Sequence, residues 1–206
     1  MERVTKRPAV TVGTRPGGRS ERVVRSVLKA AAEELSLSGF TNFRVEEVAL
    51  RAAVAKTTIY RRWPTKTDLV AAMLHAPLIA DDANVDTGSL RGDLLETLRR
   101  GVAKGGTPEG RAAIRMVQAE IENPEVAELV RVLRRARRKA FREVVKRAVA
   151  RGELAPTVDS NLLLDMIMGP VHGRMRLGEP VPASLMESVV DIVVAGINAA
   201  AVPPGR

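Results

Sequence analysis

A basic, hydroxyl-rich stretch over residues 56–62 has the composition needed to contact DNA. Lysine and arginine pair with phosphates, while threonine offers a hydroxyl and a methyl group to base edges. Tyr60 adds a phenolic hydroxyl on a rigid ring, and Ile59 is the only aliphatic residue of the stretch. The stretch therefore predicts a short polar helix that is anchored through Ile59 and exposes its cations and hydroxyls.

The flanking sequence predicts the elements that position this helix. An apolar stripe at helical spacing indicates a first helix over 45–52, residues 53–55 form a turn, and the polar helix follows over 56–63. Pro64 ends it, because proline cannot continue a helix interior. Two short helices around a tight turn are typical of a helix-turn-helix motif. Alternatively, the cations form a solvated face and Tyr60 lies in the core. This alternative explains each residue taken alone, but it does not explain why the polar helix follows an apolar helix and a turn and ends at a proline.

Composition supports a helical, nucleic-acid-binding protein. The formal charge of +9 favours a polyanionic partner, and only 2% aromatic residues favour a core of aliphatic side chains on helices. The chain has no cysteine and only His75 and His172 as histidines, so no metal or other cofactor is expected. It has neither a signal peptide pattern nor an apolar run of the ~18 residues that span a membrane. The cytoplasm is the expected compartment.

The same periodicity predicts further helices on both sides of the motif. Ser20 is expected to cap a first helix that ends at Gly39, with Phe40 and Phe43 as core residues after it. Thr65 is expected to cap a helix over 66–80, which Pro77 kinks or stops near Ala76. Five more helices are predicted over 90–103, 109–122, 124–151, 158–177 and 183–200.

These elements predict an all-α protein of about nine helices in two domains. Residues 1–19 read as a disordered basic arm, either reaching along DNA or serving as a plain tail. Residues 20–80 form a three-helix DNA-binding domain whose motif spans about 44–63. Residues 81–206 form a larger helical domain, with the boundary between His75 and Ser89.

The motif resembles the DNA-binding region of the TetR/AcrR family of transcriptional regulators. The resemblance rests on Val45, Val48-Ala49, Ala52, Val54, Thr58-Ile59-Tyr60, Trp63 and Lys66, and the run Ile59 to Lys66 is its densest part. Ala53 replaces the usual turn glycine, which is unfavourable if that position needs positive φ. Ala55 and Arg44 replace the usual capping residues, and the side-chain cap missing at Ala55 is worth about 1 kcal/mol.

The resemblance implies a ligand-responsive DNA-binding regulator, most often a repressor, and not an enzyme. Its homodimer would place two recognition helices about 34–36 Å apart on a palindromic operator in double-stranded DNA. Base contacts are expected from Thr57, Thr58 and Arg61, and phosphate contacts from Lys56, Tyr60 and Lys66. The predicted DNA-binding set also includes Arg44 and Arg62, whereas Trp63 is expected to pack in the core.

The family resemblance also assigns roles to the second domain. Residues 168–181 resemble C-terminal regions of the family, in which the last two helices of each subunit dimerise. The last helix is apolar nearly all round, which agrees with burial against two neighbours. A pocket for an unknown small-molecule effector is expected among the helices from 90 to 177, and its candidate lining residues, which ordinary core packing would also explain, are Met116, Met166, Met168, His172 and Met175.

Three alternatives remain at this point. The basic side of the helix over 124–151 is either a solvated face, which we favour, or a second DNA surface. The whole protein could bind DNA or a membrane surface through charge alone, without sequence preference. An enzyme using His172 or His75 is a third class, but no nucleophile and base are paired in the sequence.

Overall fold

A computed structural model describes residues 18–79 and 84–201, and this part of the chain contains nine α-helices and no β-strand. The predicted arm lies outside the described residues except for Gly18 and Arg19. The helices, in chain order, are α1 (Arg19–Ser38), α2 (Val45–Arg51), α3 (Lys56–Tyr60), α4 (Lys66–Ile79), α5 (Leu90–Gly105), α6 (Pro108–Glu120), α7 (Pro124–Ala150), α8 (Ser160–Leu177) and α9 (Ala183–Ala201). The all-α prediction is confirmed.

Local capping signals explain most of the helix boundaries. Ser89 accepts a hydrogen bond from the Gly92 N–H at the start of α5, and Thr107 and Asn123 cap α6 and α7 in the same way. Thr65 and Asp68 form a reciprocal pair at the start of α4, with the Asp68 N–H donating to Thr65 Oγ1 at 3.0 Å. Thr65 was the predicted cap of α4.

The predicted cap of α1 is wrong. The helix begins at Arg19 with Gly18 as its N-cap, because the Gly18 carbonyl accepts from the N–H groups of Glu21 and Arg22. Ser20 therefore lies inside the first turn. Its hydroxyl instead accepts a hydrogen bond from Arg62, which follows α3. Gly39 ends α1 as predicted, with φ of +70°.

The end of α3 also differs from the prediction. The regular part of α3 ends at Tyr60, since the residue before Pro64 is disfavoured in a helical conformation. Its last turn still continues loosely, with the Trp63 N–H donating to the Ile59 carbonyl at 2.9 Å. α4, by contrast, has nearly its predicted span of 66–80, because it runs past Pro77 to Ile79 and the alternative of an early stop near Ala76 is excluded.

Two hydrophobic clusters form the core. The first joins α1, α2, α3 and α4 around Phe40 and Ile59, and it also receives Met116 of α6 and Leu129 of α7. The second joins α5, the C-terminal half of α7, α8 and α9. The long helix α7 thus contributes to both clusters and, through its packing on α4, connects the N-terminal helices to the C-terminal ones.

Candidate nucleic-acid interface

The turn between α2 and α3 places the second helix across the first. Val45, Val48 and Ala49 bury one side of α2 in the first cluster. The helix then ends with the Val54 N–H donating to the Ala49 carbonyl at 3.0 Å, the long bond of a Schellman motif. Ala53 occupies the left-handed position of this motif with φ of +53°. The position therefore needs the backbone conformation that glycine adopts without strain.

α3 has one buried side and one exposed side. Ile59 is fully buried and fixes the helix on the core. Lys56, Thr57 and Tyr60 are exposed, as is Arg61 directly after the helix. These positions lie on one face, since residues four apart are neighbours on a helix. The face therefore presents a lysine, a threonine, a phenol and an arginine together to solvent.

The remaining predicted DNA contacts surround this face. Thr58 is half-buried, and Arg44 is exposed at the start of α2. Lys56 Nζ lies 3.2 Å from Glu46 Oε1. The backbone N–H of Glu46 and then the Lys56 ammonium lower the pKa of the Glu46 carboxyl. Glu46 therefore stays ionised at neutral pH and partly offsets the charge of Lys56.

The helices of the motif lack side-chain caps, as the sequence predicted. Neither Arg44 nor Ala55 supplies a side-chain acceptor at the N-terminus of its helix. Glu34 of α1 compensates in part, because its Oε1 accepts from the Arg44 N–H at 3.4 Å. The same buried carboxylate pairs with Arg51 at the end of α2. Glu34 therefore holds both ends of α2, a role that no local sequence signal indicated.

Lys66 begins α4 beside the motif. Its Nζ lies 4.5 Å from the centroid of the Phe40 ring and 3.4 Å from the Phe40 carbonyl oxygen. The side chain is half-buried, so its ammonium group is already oriented in this structure. A lysine held at a helix N-terminus is well placed for a phosphate. Trp63 packs against the first cluster, which confirms its predicted core role.

Comparison with known proteins identifies both halves of the chain. Residues 27–73 match the family model described as bacterial regulatory proteins, tetR family. Residues 84–193, which are more than half of the 206 residues, match the tetracyclin repressor-like C-terminal domain. The chain belongs to the TetR family. It is accordingly a ligand-responsive, DNA-binding transcriptional regulator, and a protein that binds through charge alone is not favoured.

Curated relatives of this TetR-family regulator cover nearly its full length. The HTH-type transcriptional regulator AqdR of Rhodococcus erythropolis is 32% identical over 186 residues, which are 89% of each chain. The DNA-binding transcriptional repressor TetR of Mycobacteroides abscessus is 30% identical over 178 residues, 85% of this chain and 94% of the relative.

Solved structures show the same fold. The TetR family transcription regulator SCO0332 superposes with a TM-score of 0.62 at 30% identity, over 89% of this chain and 100% of that one. The regulator FadR of Bacillus subtilis, solved with stearoyl-CoA, has a TM-score of 0.66 at 18% identity, over 84% of this chain and 98% of its own. Within the described residues of this regulator, no helix is both long and apolar enough to cross a membrane.

The predicted effector residues of this TetR-family regulator lie in different places. Met116 belongs to the first cluster, and Met166 is exposed on the outer side of α8. Met168, His172 and Met175 share another side of α8. The helix α5 comes very close there, since a Cβ at Gly105 would lie 1.9 Å from Met175 Cε and one at Gly101 3.0 Å from Met168 Cε. Met168 and Met175 therefore line the contact between α5 and α8, whereas His172 is exposed beside Arg137 of α7.

His172 lies in a strongly cationic environment. Its Nε2 is 3.4 Å from Arg137 Nη1, and Arg137 Nη2 is also 3.4 Å from Met168 Sδ. Part of the residue is exposed, but desolvation of the ring and then the charges of Arg137, Arg176 and Arg134 lower the pKa of His172 to about 4. The imidazole is therefore neutral at pH 7, and it can accept a hydrogen bond from Arg137.

Glu120 is a contact that sequence analysis missed. It ends α6, and its Oε1 accepts from the Phe40 N–H at 2.6 Å while Oε2 accepts from the Thr41 N–H at 2.8 Å. The Thr41 hydroxyl donates to the same carboxylate. A Cβ at Gly39 would lie 2.7 Å from Oε1, so glycine leaves room for this approach. Through these hydrogen bonds, α6 fixes the position of the loop that leads into the motif.

The charge on Glu120 is favoured by these donors. Desolvation raises the pKa of the Glu120 carboxyl, but the Thr41 hydroxyl, the N–H groups of Phe40 and Thr41 and the nearby Lys66 ammonium together lower it below its usual value. Residues 40 and 120 are far apart in sequence, and a lone glutamate at a helix end carries no local signal. Only the packing of α6 on α1 brings them together.

Proposed function

We propose that the protein is a cytoplasmic, homodimeric repressor that binds a palindromic operator and is released from it by a small molecule. The observation that supports the proposal most directly is the face of α3, where Ile59 anchors the helix and Lys56, Thr57 and Tyr60 lie exposed together. A short exposed helix of this composition suits the major groove. It follows that the protein acts through binding and not through catalysis.

The roles within the DNA-binding set follow from side-chain chemistry and position. Thr57, Thr58 and Arg61 are assigned to base edges, because short hydroxyls and guanidinium groups read them. Lys56, Tyr60 and Lys66 are assigned to phosphates, with Arg44 and Arg62 adding charge at the flanks. Lys66 fits this role well, because its ammonium group is already held against Phe40.

The dimer is proposed to form through α8 and α9. Leu162, Met166 and Leu177 are exposed on α8, and Ile192 is exposed on α9. Apolar side chains on two adjacent helices form a patch of the kind that marks an interface. A Cβ at Gly169, Gly173 or Gly196 would meet nothing within 4 Å, so these positions face open space and no side chain projects from the helix there. A second copy could therefore approach closely.

The domain division at residues 20–80 and 81–206, preceded by a basic arm over 1–19, remains part of the proposal. The effector is proposed to bind beside Met168 and Met175 at the contact of α8 with α5, and beside His172 on the same side of α8. It would displace the two methionine side chains that fill this contact, since methionine adapts to varied apolar shapes. Met116 and Met166 lie away from that contact. The contact of Glu120 with the loop at residues 40–41 offers one route from the C-terminal helices to the motif.

The decisive experiment is selection of random duplex DNA by the purified protein at near-physiological salt, followed by sequencing. A palindromic consensus with two half-sites is expected. Enrichment without a consensus, with affinity that falls steeply with salt, would instead indicate charge-driven binding.

Tyr60→Ala tests the α3 face directly. Tyr60 is 42% exposed, so its loss should leave the fold and the dimer intact. We expect operator affinity to fall about tenfold, or roughly 1.4 kcal/mol, measured by fluorescence anisotropy with the selected sequence. Leu37→Ala, at the far end of α1, is the control and should bind as the wild type does. Unchanged affinity in the Tyr60 variant would remove this residue from the interface.

A further inference from the structure

The basic side of α7 is neutralised unevenly. Arg131 lies 2.6 Å from Glu128, and Lys146 lies 2.8 Å from Glu143, so the cations at both ends have acidic partners on the same helix. Arg138 pairs with an aspartate of α8, with its Nη2 2.9 Å from Asp165 Oδ2. These cations behave as a solvated, paired helix surface.

In the middle of the basic side of α7, three cations have no acidic partner within hydrogen-bond or ion-pair distance in the part of the chain that the structure describes. Within the described residues, the side chains of Arg135, Lys139 and Arg142 have neither a hydrogen bond nor an ion pair. Their spacing of four and three residues puts them on one face, where like charges destabilise a helix. They extend over seven residues, or about 10.5 Å along the axis. All three side chains are exposed, and over the described ranges only Arg142 has a nearby carboxylate, that of Glu143, so the row presents adjacent cations to an anion from solution.

These three cations line a groove together with a polar residue of α8. The groove has a volume of about 470 Å³, and Ala136, Arg138 and Asn161 complete its lining. The side-chain oxygen of Asn161 is buried without a hydrogen-bond partner in this structure. A buried acceptor without a partner is unfavourable, and a donor from a bound molecule would satisfy it.

We propose that this groove binds a small molecule that carries a diphosphate and, next to it, a hydroxyl group, as a nucleoside diphosphate does. Arginine matches the geometry of phosphate oxygens through paired N–H donors, and the row is too long for a single phosphate. The groove is open to solvent, so it leaves room for a nucleotide-sized ligand along the row. The adjoining hydroxyl would donate to Asn161.

The position of the row argues against duplex DNA as its occupant. α7 packs on α4, beside the DNA-binding motif, through its N-terminal part, where Leu129 joins the first cluster. Arg142 lies thirteen residues further along, which is about 20 Å on a helix, and the groove borders α8. The proposal concerns a site separate from α3 and does not depend on operator binding.

Isothermal titration calorimetry of the full chain with ADP and, separately, with pyrophosphate tests the proposal. We expect one ADP per chain and competition by pyrophosphate. The triple variant Arg135→Gln, Lys139→Gln, Arg142→Gln should bind ADP at least tenfold more weakly. The matched control Arg25→Gln, Arg131→Gln, Lys146→Gln removes the same charge from paired cations and should bind ADP as the wild type does.

Several outcomes would overturn the proposal. They are equal weakening in both triple variants, absence of ADP and pyrophosphate binding in the wild type up to about 5 mM, and a tenfold loss of operator affinity confined to the groove variant. The last would show that the row contacts DNA. Circular dichroism and sedimentation verify the fold of each variant, and the single exposed change Lys139→Glu, which should also weaken ADP binding, replaces the triple variant if that one unfolds.

Discussion

Ala53 is the one non-glycine residue with positive φ among the described residues, and it lies in the turn that orients α3. The left-handed conformation costs an L-residue about 1–2 kcal/mol. Glycine avoids this steric cost, but it loses more backbone entropy on folding, and this loss offsets part of the gain. We expect Ala53→Gly to raise the free energy of unfolding by about 0.5–1 kcal/mol, measured by urea denaturation. Ala52→Gly is the control, because Ala52 is helical and buried and its replacement should destabilise the protein.

His172 should make stability depend on pH between about 6.5 and about 4. Desolvation of the ring and then Arg137, Arg176 and Arg134, opposed by Asp165, lower the pKa of His172 to about 4 in the folded state, although part of the residue is exposed. The unfolded value is near 6.5, so in this window the unfolded chain binds a proton that the folded chain does not. The free energy of unfolding therefore falls as pH falls through the window.

The variant His172→Gln removes this proton from both states. Between pH 7.5 and pH 5, urea denaturation should show a smaller fall in the free energy of unfolding for the variant than for the wild type. Above about pH 7, the free energy of unfolding should change with pH by nearly the same amount in the two proteins. An equal loss in both would mean that His172 ionises in the folded protein much as it does in the unfolded chain.

At the scale of elements, the attachment of α6 to the motif depends on Glu120. Its carboxylate accepts hydrogen bonds from Phe40 and Thr41, and hydrogen bonds to charged groups are stronger than neutral ones. Glu120→Gln keeps the shape but loses the charge, so we expect the free energy of unfolding to fall by about 1 kcal/mol. The nearby exposed Glu122→Gln is the matched control and should have no effect. Equal stability of both variants would contradict a role for this contact.

At the scale of the whole molecule, the exposed surface of α8 and α9 predicts how the protein associates. Ile192 is 71% exposed, and a carboxylate there would be buried without a partner in the proposed dimer. Two-fold symmetry introduces the change twice, so we expect Ile192→Asp to weaken dimerisation by at least about 100-fold. Sedimentation velocity measures this. Leu37→Asp, at a residue 75% exposed on α1, should leave the dimer intact, and a dimeric Ile192 variant would place the interface elsewhere.

The sequence by itself determined the nine helices, the helix-turn-helix motif and the inward role of Ile59, because helical periodicity, caps and proline stops are local properties of the chain. The cost at Ala53 was expected only through the family resemblance, in which glycine usually occupies this position, and the structure established the positive φ. The two boundary errors also have local causes. At the start of α1, the Gly18 carbonyl replaces Ser20 as the cap, and at the end of α3, Pro64 limits how far the regular helix extends past Tyr60.

Tertiary structure alone decided which distant side chains meet. It joined Glu120 to Phe40 and Thr41, and it separated Met116 from Met168. It also decided which cations of α7 have acidic partners, since one partner comes from α8. No periodicity encodes these pairings, because they depend on how helices far apart in sequence pack on one another.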